Sequence, residues 1–335
     1  MIPVIDLPWE SEEWRLILKQ AYRSSHDLLQ ALGTRVPKLD PQPDFPVLVP
    51  QPFAARMTPG DPHDPLLRQV LALSEERLNQ PGFTDDPLQE SNPAVGFSRA
   101  PGLIHKYHGR VLLIATGGCA VHCRYCFRRH FPYAEHRDPQ LDQAINVIRQ
   151  DSSITEVILS GGDPLLLDDQ ALANLVTTLA AISHIKRLRI HTRLPVVVPQ
   201  RITTALLDSL SHHRLALSVV VHSNHPAELD AQTATAFARL RQAGIWLFNQ
   251  AVLLRGVNAH VDTQVQLAEA LFAQDVLPYY LHVPDPVSGT HHFHLSLQEC
   301  QQIYRELQAR LPGYLVPRLV QEVPKKASKM IVSGA

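Results

Sequence analysis

From about residue 110 the chain alternates short β-branched or leucine-rich runs with stretches whose apolar positions recur at three- and four-residue spacing. The first pattern marks buried strands and the second amphipathic helices. Strands are predicted to begin near Val111, Glu156, Arg187, Leu215, Trp246 and Leu277, at intervals of 45, 31, 28, 31 and 31 residues. An interval near thirty is the length of one βαβ unit, so the spacing predicts parallel strands joined by crossover helices. Those helices are expected at 140–150, 168–183, 203–212, 230–243 and 263–273, with a last one at 296–311. Six such units either close partly into a barrel or lie flat as a doubly wound sheet, and the period fits both. Either way, ligands belong at the C-terminal ends of the strands.

The first hundred residues differ in texture. Helical patterns cover 12–32 and 65–79, separated by a segment, 37–65, that holds nine of the chain's 27 prolines. So many prolines exclude regular helix and predict an extended wrap over another surface, with 58–64 also compatible with a flexible linker. Beyond the last helix, one strand-like run at 314–322 precedes three of the chain's seven lysines, and this tail is expected to fold back over the mouth of the strands. The division expected is a helical N-terminal layer (1–100), an α/β unit (101–311) and a C-terminal flap (312–335).

Composition narrows the function classes. With 45% hydrophobic and 19% charged residues the chain buries a full core, which excludes disorder as its main state. A net charge of -1 gives no global field, so neither nucleic acid nor an anionic membrane is an expected partner. No apolar stretch reaches the ~20 residues of a membrane helix, and the acidic N-terminus is unlike a secretory leader, so a cytoplasmic location is expected.

Three of the four cysteines, Cys119, Cys123 and Cys126, stand at C-x3-C-x2-C directly after the first strand of the α/β unit. In a reducing compartment such a cluster points to metal or iron–sulfur ligation rather than to disulfides. Three thiolates can hold three irons of a four-iron cluster and leave the fourth open to a small chelating molecule. A zinc knot completed by His122 or His130 is the alternative, with Arg124, Arg128 and Arg129 as a small basic patch of a binding module. Cys300, alone in a predicted helix, reads as a small buried hydrophobe. His212, His213, His291, His292 and His294 lack helical ligand spacing, so solvent-exposed or supporting roles are expected for them. Walker, dinucleotide-binding and GxSxG signatures are absent.

The cysteine loop followed by Phe127, Arg128 and Arg129 resembles the radical S-adenosylmethionine superfamily, specifically its lysine 2,3-aminomutase family. Further stretches carry the likeness over roughly residues 85–332: HKYHGRVLL, ILSGGDPLLL, RIHTRLPVVVPQRIT, HSNHPAEL, LLRGVN and PYYLHVPD. Within that family the chain is most similar to the short bacterial branch that makes (R)-β-lysine for elongation factor P. The resemblance implies a partial (β/α)6 barrel and three cofactors: a [4Fe-4S] cluster, S-adenosylmethionine and pyridoxal 5'-phosphate. It implies a radical 1,2-shift of an amino group on free lysine, an external electron donor such as flavodoxin, and a link to elongation factor P and its ligase. A different radical S-adenosylmethionine reaction, on another amino acid or on protein or RNA without pyridoxal phosphate, is the second enzymatic reading.

Residue by residue, the resemblance implies that Cys119, Cys123 and Cys126 ligate the cluster and that Ser160, Gly161, Gly162 and Asp163 contact S-adenosylmethionine. His191 and Arg193, at the end of the next strand, join the cofactor-binding set. Lys329 corresponds to the lysine that holds pyridoxal phosphate, and Arg110 to an arginine near its phosphate, which a guanidinium suits. For the substrate, Arg128 corresponds to the partner of the carboxylate, and Asp285 and Glu322 to the acids around the distal ammonium. Relatives usually carry a glycine-rich loop before that lysine, where this chain has Pro324, Lys325, Lys326, Ala327 and Ser328, and often an aspartate at the position of Glu322.

Overall fold

The computed structural model describes residues 13–135, 141–211 and 213–333. Readings made on residues 1–12, Gln140 and His212 lie outside them. Among the described residues the strands form one sheet of ten: β1 (Ser98–Ala100), β2 (Leu103–Tyr107), β3 (Arg110–Thr116), β4 (Glu156–Gly161), β5 (Arg187–Thr192), β6 (Ala216–Val221), β7 (Trp246–Val252), β8 (Leu277–His282), β9 (Arg318–Gln321) and β10 (Met330–Ile331). Their spatial order is their chain order. A doubly wound sheet reverses direction at a switch point. Here every crossover from β3 to β9 steps one strand onward in parallel, which makes the sheet a sector of a barrel.

The six strands predicted for the barrel are all present, starting within one residue of the expected places. Their helices also form, at Leu141–Gln150, Asp169–Ala180, Thr204–Ser209, Ala231–Gln242, Val261–Phe272 and Leu297–Arg310. Side-chain caps explain several of the starts: Asp168 accepts from the Ala171 amide at 2.7 Å, Asp230 from Thr233 at 2.9 Å and Ser296 from Glu299 at 3.3 Å. Period-2 alternation sorts the strand residues. Val157, Leu159, Leu188 and Ile190 are fully buried in the core, while their neighbours Ile158, Ser160, Arg189 and His191 face the barrel interior.

The N-terminal layer departs from its expected elements. The helical pattern at 12–32 is broken into Glu13–Lys19 and Ser25–Leu32, because Tyr22 leaves the helix to pair with Val49 through two 2.9 Å backbone bonds and Ser24 caps a fresh start. The pattern at 65–79 is helical only over Pro65–Arg68, with a 3-10 turn at Ser74–Arg77. Between them the backbone bonds instead to Lys38 and Asp40, so tertiary pairing overrides propensity. The proline-rich segment is extended only in part, since Gln51–Ala54 within it is a short helix and turns follow, and 58–64 is no flexible linker: Gly60 donates to Leu32 O at 3.1 Å and buried Asp64 accepts from Thr58 at 2.9 Å. The β1–β2 hairpin, not foreseen, straddles the division expected at residue 100 and extends the barrel sheet at one edge. At the other edge the tail forms the β9–β10 hairpin, in which Met330 pairs with Gln321 and Lys329 is thereby brought opposite Glu322.

Candidate active site

The residues singled out in the sequence for cofactors and substrate all line one cavity of about 410 Å³ inside the barrel. Most stand where parallel strands end: the cysteines after β3, Ser160 to Asp163 at the end of β4, His191 and Arg193 at the end of β5, Asp285 after β8 and Glu322 after β9. Arg110 begins β3 instead, so the cavity runs the depth of the barrel, about 20 Å at the usual strand rise. Arg110 stacks over Tyr107 at 4.7 Å, and no carboxylate pairs with it among the described residues.

The cysteine loop is built on close backbone contact. Gly162 donates to Thr116 O at 2.8 Å and Asp163 to Gly118 O at 2.7 Å, stitching the turn after β4 to the turn after β3. A Cβ at Gly162 would lie 1.9 Å from Gly118 O, so no side chain fits. Burial pushes the Cys119 thiol well above its ordinary value and Cys126 up to about 11, so protons leave these sulfurs only in exchange for a cation. With Cys123 they stand on one cavity wall and fit the cluster that the spacing implies.

The zinc knot lacks its histidines. His122 Nδ1 is engaged with Pro46 O at 2.9 Å and the ring stacks on Phe45, while His130 turns toward Ser288 and Asp85. Among the described residues no group of three or more His, Cys, Asp or Glu side chains is gathered as one metal ion requires. Nor is there a basic patch, since Arg124, Arg128 and Arg129 are buried against Glu76 and Glu90. His291, His292 and His294 are half-buried rather than exposed, and His291 and His294 pack edge-on against Phe83. His213 is likewise only partly exposed, and its Nδ1 accepts from the Leu215 amide at 3.2 Å. Cys300 is fully buried as expected.

Asp163 is committed to the protein. Its carboxylate accepts from Thr192 Oγ1 at 2.7 Å and from the amides of Leu165, Arg193 and Leu194, tying the end of β4 to the end of β5. That carboxylate therefore fixes the glycine turn at the cavity wall. Arg193 reaches Cys123 Sγ at 2.7 Å and Tyr125 Oη at 2.8 Å with Nη1, and Gln69 and fully buried Glu228 with Nη2. Beside it the Nε2 of His191 is buried and without a hydrogen-bond partner, an open position facing the cavity.

From the cysteine loop a wall of alternating charge runs along the cavity, and its pairings were not visible in the sequence. Arg128 donates to Glu90 at 2.6 and 2.9 Å, Lys106 joins Glu90 to Glu322 with two 2.7 Å contacts, and Glu322 also pairs with Lys329. Burial opposes each charge, but the lysines outweigh it and hold Glu322 far below the ordinary carboxylate range, as Glu90 holds Arg128 protonated. Asp285 has no such partner among the described residues; burial first and Glu322 second push it up to about 7. Glu90 and Lys106 were missed because each is a single charge to which neither periodicity nor the likeness of HKYHGRVLL gave a role, and only packing joins them. The inward-facing Gln250, Tyr280 and His282 did leave a signal: polar residues at alternate positions in otherwise apolar strands.

The pattern shared by the Radical SAM superfamily matches residues 113–264. The L-lysine 2,3-aminomutase of Escherichia coli (strain K12) is 49% identical over 85% of this chain and 82% of its own length. Those of Haemophilus influenzae and Buchnera aphidicola are 44% and 42% identical, each over 96% of both chains. At such identity across most of its length, this chain belongs to the lysine 2,3-aminomutase family of the Radical SAM superfamily.

Proposed function

We propose that the protein is an L-lysine 2,3-aminomutase that converts (S)-α-lysine to (R)-β-lysine by moving the amino group between adjacent carbons. One observation carries this beyond the family name: a single cavity has three partly buried thiols at one wall and, at another, a lysine ion-paired to an acid beside a second acid. When bound, the cluster with S-adenosylmethionine supplies a carbon radical able to take a hydrogen atom, and pyridoxal phosphate supplies a π system through which nitrogen can move.

The chain's own residues have the following tasks in this reading. Cys119, Cys123 and Cys126 hold the cluster, and Ser160, Gly161 and Gly162 offer strand-end backbone to the methionine part, with Asp163 fixing that turn. His191, through its open Nε2, and Arg193, beside Cys123, complete the cofactor surface. Lys329 provides the amine for the pyridoxal aldehyde, and Arg110 holds the phosphate. Arg128 meets the substrate carboxylate. Asp285 and Glu322 hold the distal ammonium, and a neutral or acidic side chain there would leave buried carboxylates unpaired. The enclosing barrel keeps water from the radical.

Anaerobic incubation of the reconstituted protein with labelled lysine, S-adenosylmethionine, pyridoxal phosphate and a reductant is expected to yield β-lysine. Borohydride followed by peptide mass analysis is expected to place a pyridoxyl group on Lys329 and to lose it in Lys329→Met. Label on no lysine would return the chain to the wider class of radical S-adenosylmethionine enzymes. Electrons come, in this reading, from a small cytoplasmic donor such as flavodoxin, and the reducing cytoplasm suits an iron–sulfur thiolate loop. On resemblance alone, elongation factor P and its ligase are the consumers of the product. A β-lysine mass increment on elongation factor P, present only with this enzyme, checks that link.

A further inference from the structure

Arg128 offers two edges to a carboxylate, Nε with Nη2 and Nη1 with Nη2. Glu90 fills the first edge, accepting from Nε at 2.6 Å and from Nη2 at 2.9 Å. The second edge lies beside the Ser160 hydroxyl, 3.3 Å from Nη1, on the cavity wall. The plane of the guanidinium is held as well, with Phe127 and Phe131 rings 4.8 and 5.8 Å away.

Glu90 is itself built in rather than loosely placed. It is 6% exposed, and its amide and that of Ser91 are held by the Asp86 carboxylate at 2.9 and 2.8 Å. The same strap is pinned at Thr84, which exchanges backbone bonds with Pro286 and Ser288 on either side of Val287, next to Asp285. A segment outside the barrel thus reaches both poles of the cavity.

We propose that Glu90 is a positioning residue that selects the edge of Arg128 presented to the substrate, so that the α-carboxylate is read by the Nη1–Nη2 edge beside Ser160. The inference rests on the assignment of Arg128 to the carboxylate. Glutamine at position 90 keeps the shape but turns one acceptor into a donor facing Arg128, which forces the guanidinium to tilt.

Lysine and 1,5-diaminopentane, which lacks only the carboxylate, separate this role from a merely structural one. Equilibrium binding of each to the holoenzyme without reductant is measured for wild type and Glu90→Gln. Lysine affinity is expected to fall at least about tenfold more than diaminopentane affinity, at unchanged iron content, with a lower melting temperature because Arg128 and Lys106 lose the charge of their shared partner. In an Arg128→Lys background the second change should add no further loss of preference for lysine. Should Glu90→Gln not fold, Glu90→Asp keeps the charge, shortens the reach and is expected to show the same selective loss. Equal losses for both ligands, no loss for either, or a further loss in the Arg128→Lys background would overturn the role of Glu90 alone. A wild type that does not prefer lysine over diaminopentane would overturn the carboxylate assignment and this inference with it.

Discussion

Asp285 concentrates the chemistry of the distal pole. Its folded value of about 7 lies well above the ~3.9 of an unfolded aspartate, so the folded chain holds a proton that the unfolded chain has released. Stability from this group is therefore present below about pH 4 and is lost as pH rises toward 7. Asp285→Asn should raise the melting temperature at pH 8 and give a smaller gain at pH 4, as calorimetry at the two values would show. Binding runs the opposite way, because only the ionised acid holds an ammonium. The kcat/KM for lysine is expected to climb with pH through about 7 in the wild type, and the asparagine variant should lack that limb and lose most of its lysine affinity. At this scale the sequence was readable wherever a residue acts through its own chemistry, as the cysteines and Lys329 do by spacing and resemblance. Glu90 and Lys106 act through partners as far as 216 positions away, and no local pattern encodes such a pairing.

Among elements, the decisive contact is between the turns that follow β3 and β4. Ordinary strand-to-helix turns tolerate a methyl group, whereas here it would meet a carbonyl oxygen at 1.9 Å. Gly162→Ala should push the two turns apart and lower iron and sulfide content after reconstitution to less than half that of wild type. The barrel's far-ultraviolet circular dichroism spectrum should hardly change, since the strands and helices are buried independently of that turn. Crossover helices and strands were legible from periodicity because each buries one continuous apolar face. The broken helices at the N-terminus were not, because Tyr22 and Asp40 take backbone partners from distant segments that periodicity does not see.

For the molecule as a whole, the N-terminal layer is riveted to the barrel by Arg56. From beside the short Gln51–Ala54 helix its guanidinium donates to Val196 O at 2.6 Å, Glu228 O at 2.8 Å and Asp230 Oδ2 at 2.8 Å. Glu228 in turn holds Arg193, which touches Cys123. Removing the arginine strands three acceptors, and Arg56→Ala should cost roughly 2–4 kcal/mol in chemical denaturation. It should also hasten loss of the cluster in air, followed by the decay of its visible absorption.

Chain order gives one last consequence. The sheet grows strand by strand in the direction of synthesis, yet Lys106 waits for Glu322 from the closing hairpin. A ribosome delivers the sulfur loop some two hundred codons before the segment that completes the amino-acid pole. The thiols must survive that interval without oxidation, and a polypeptide cut short before β9 would carry the metallocentre loop, Arg128 and Asp285 without Glu322 or Lys329 to complete the pole.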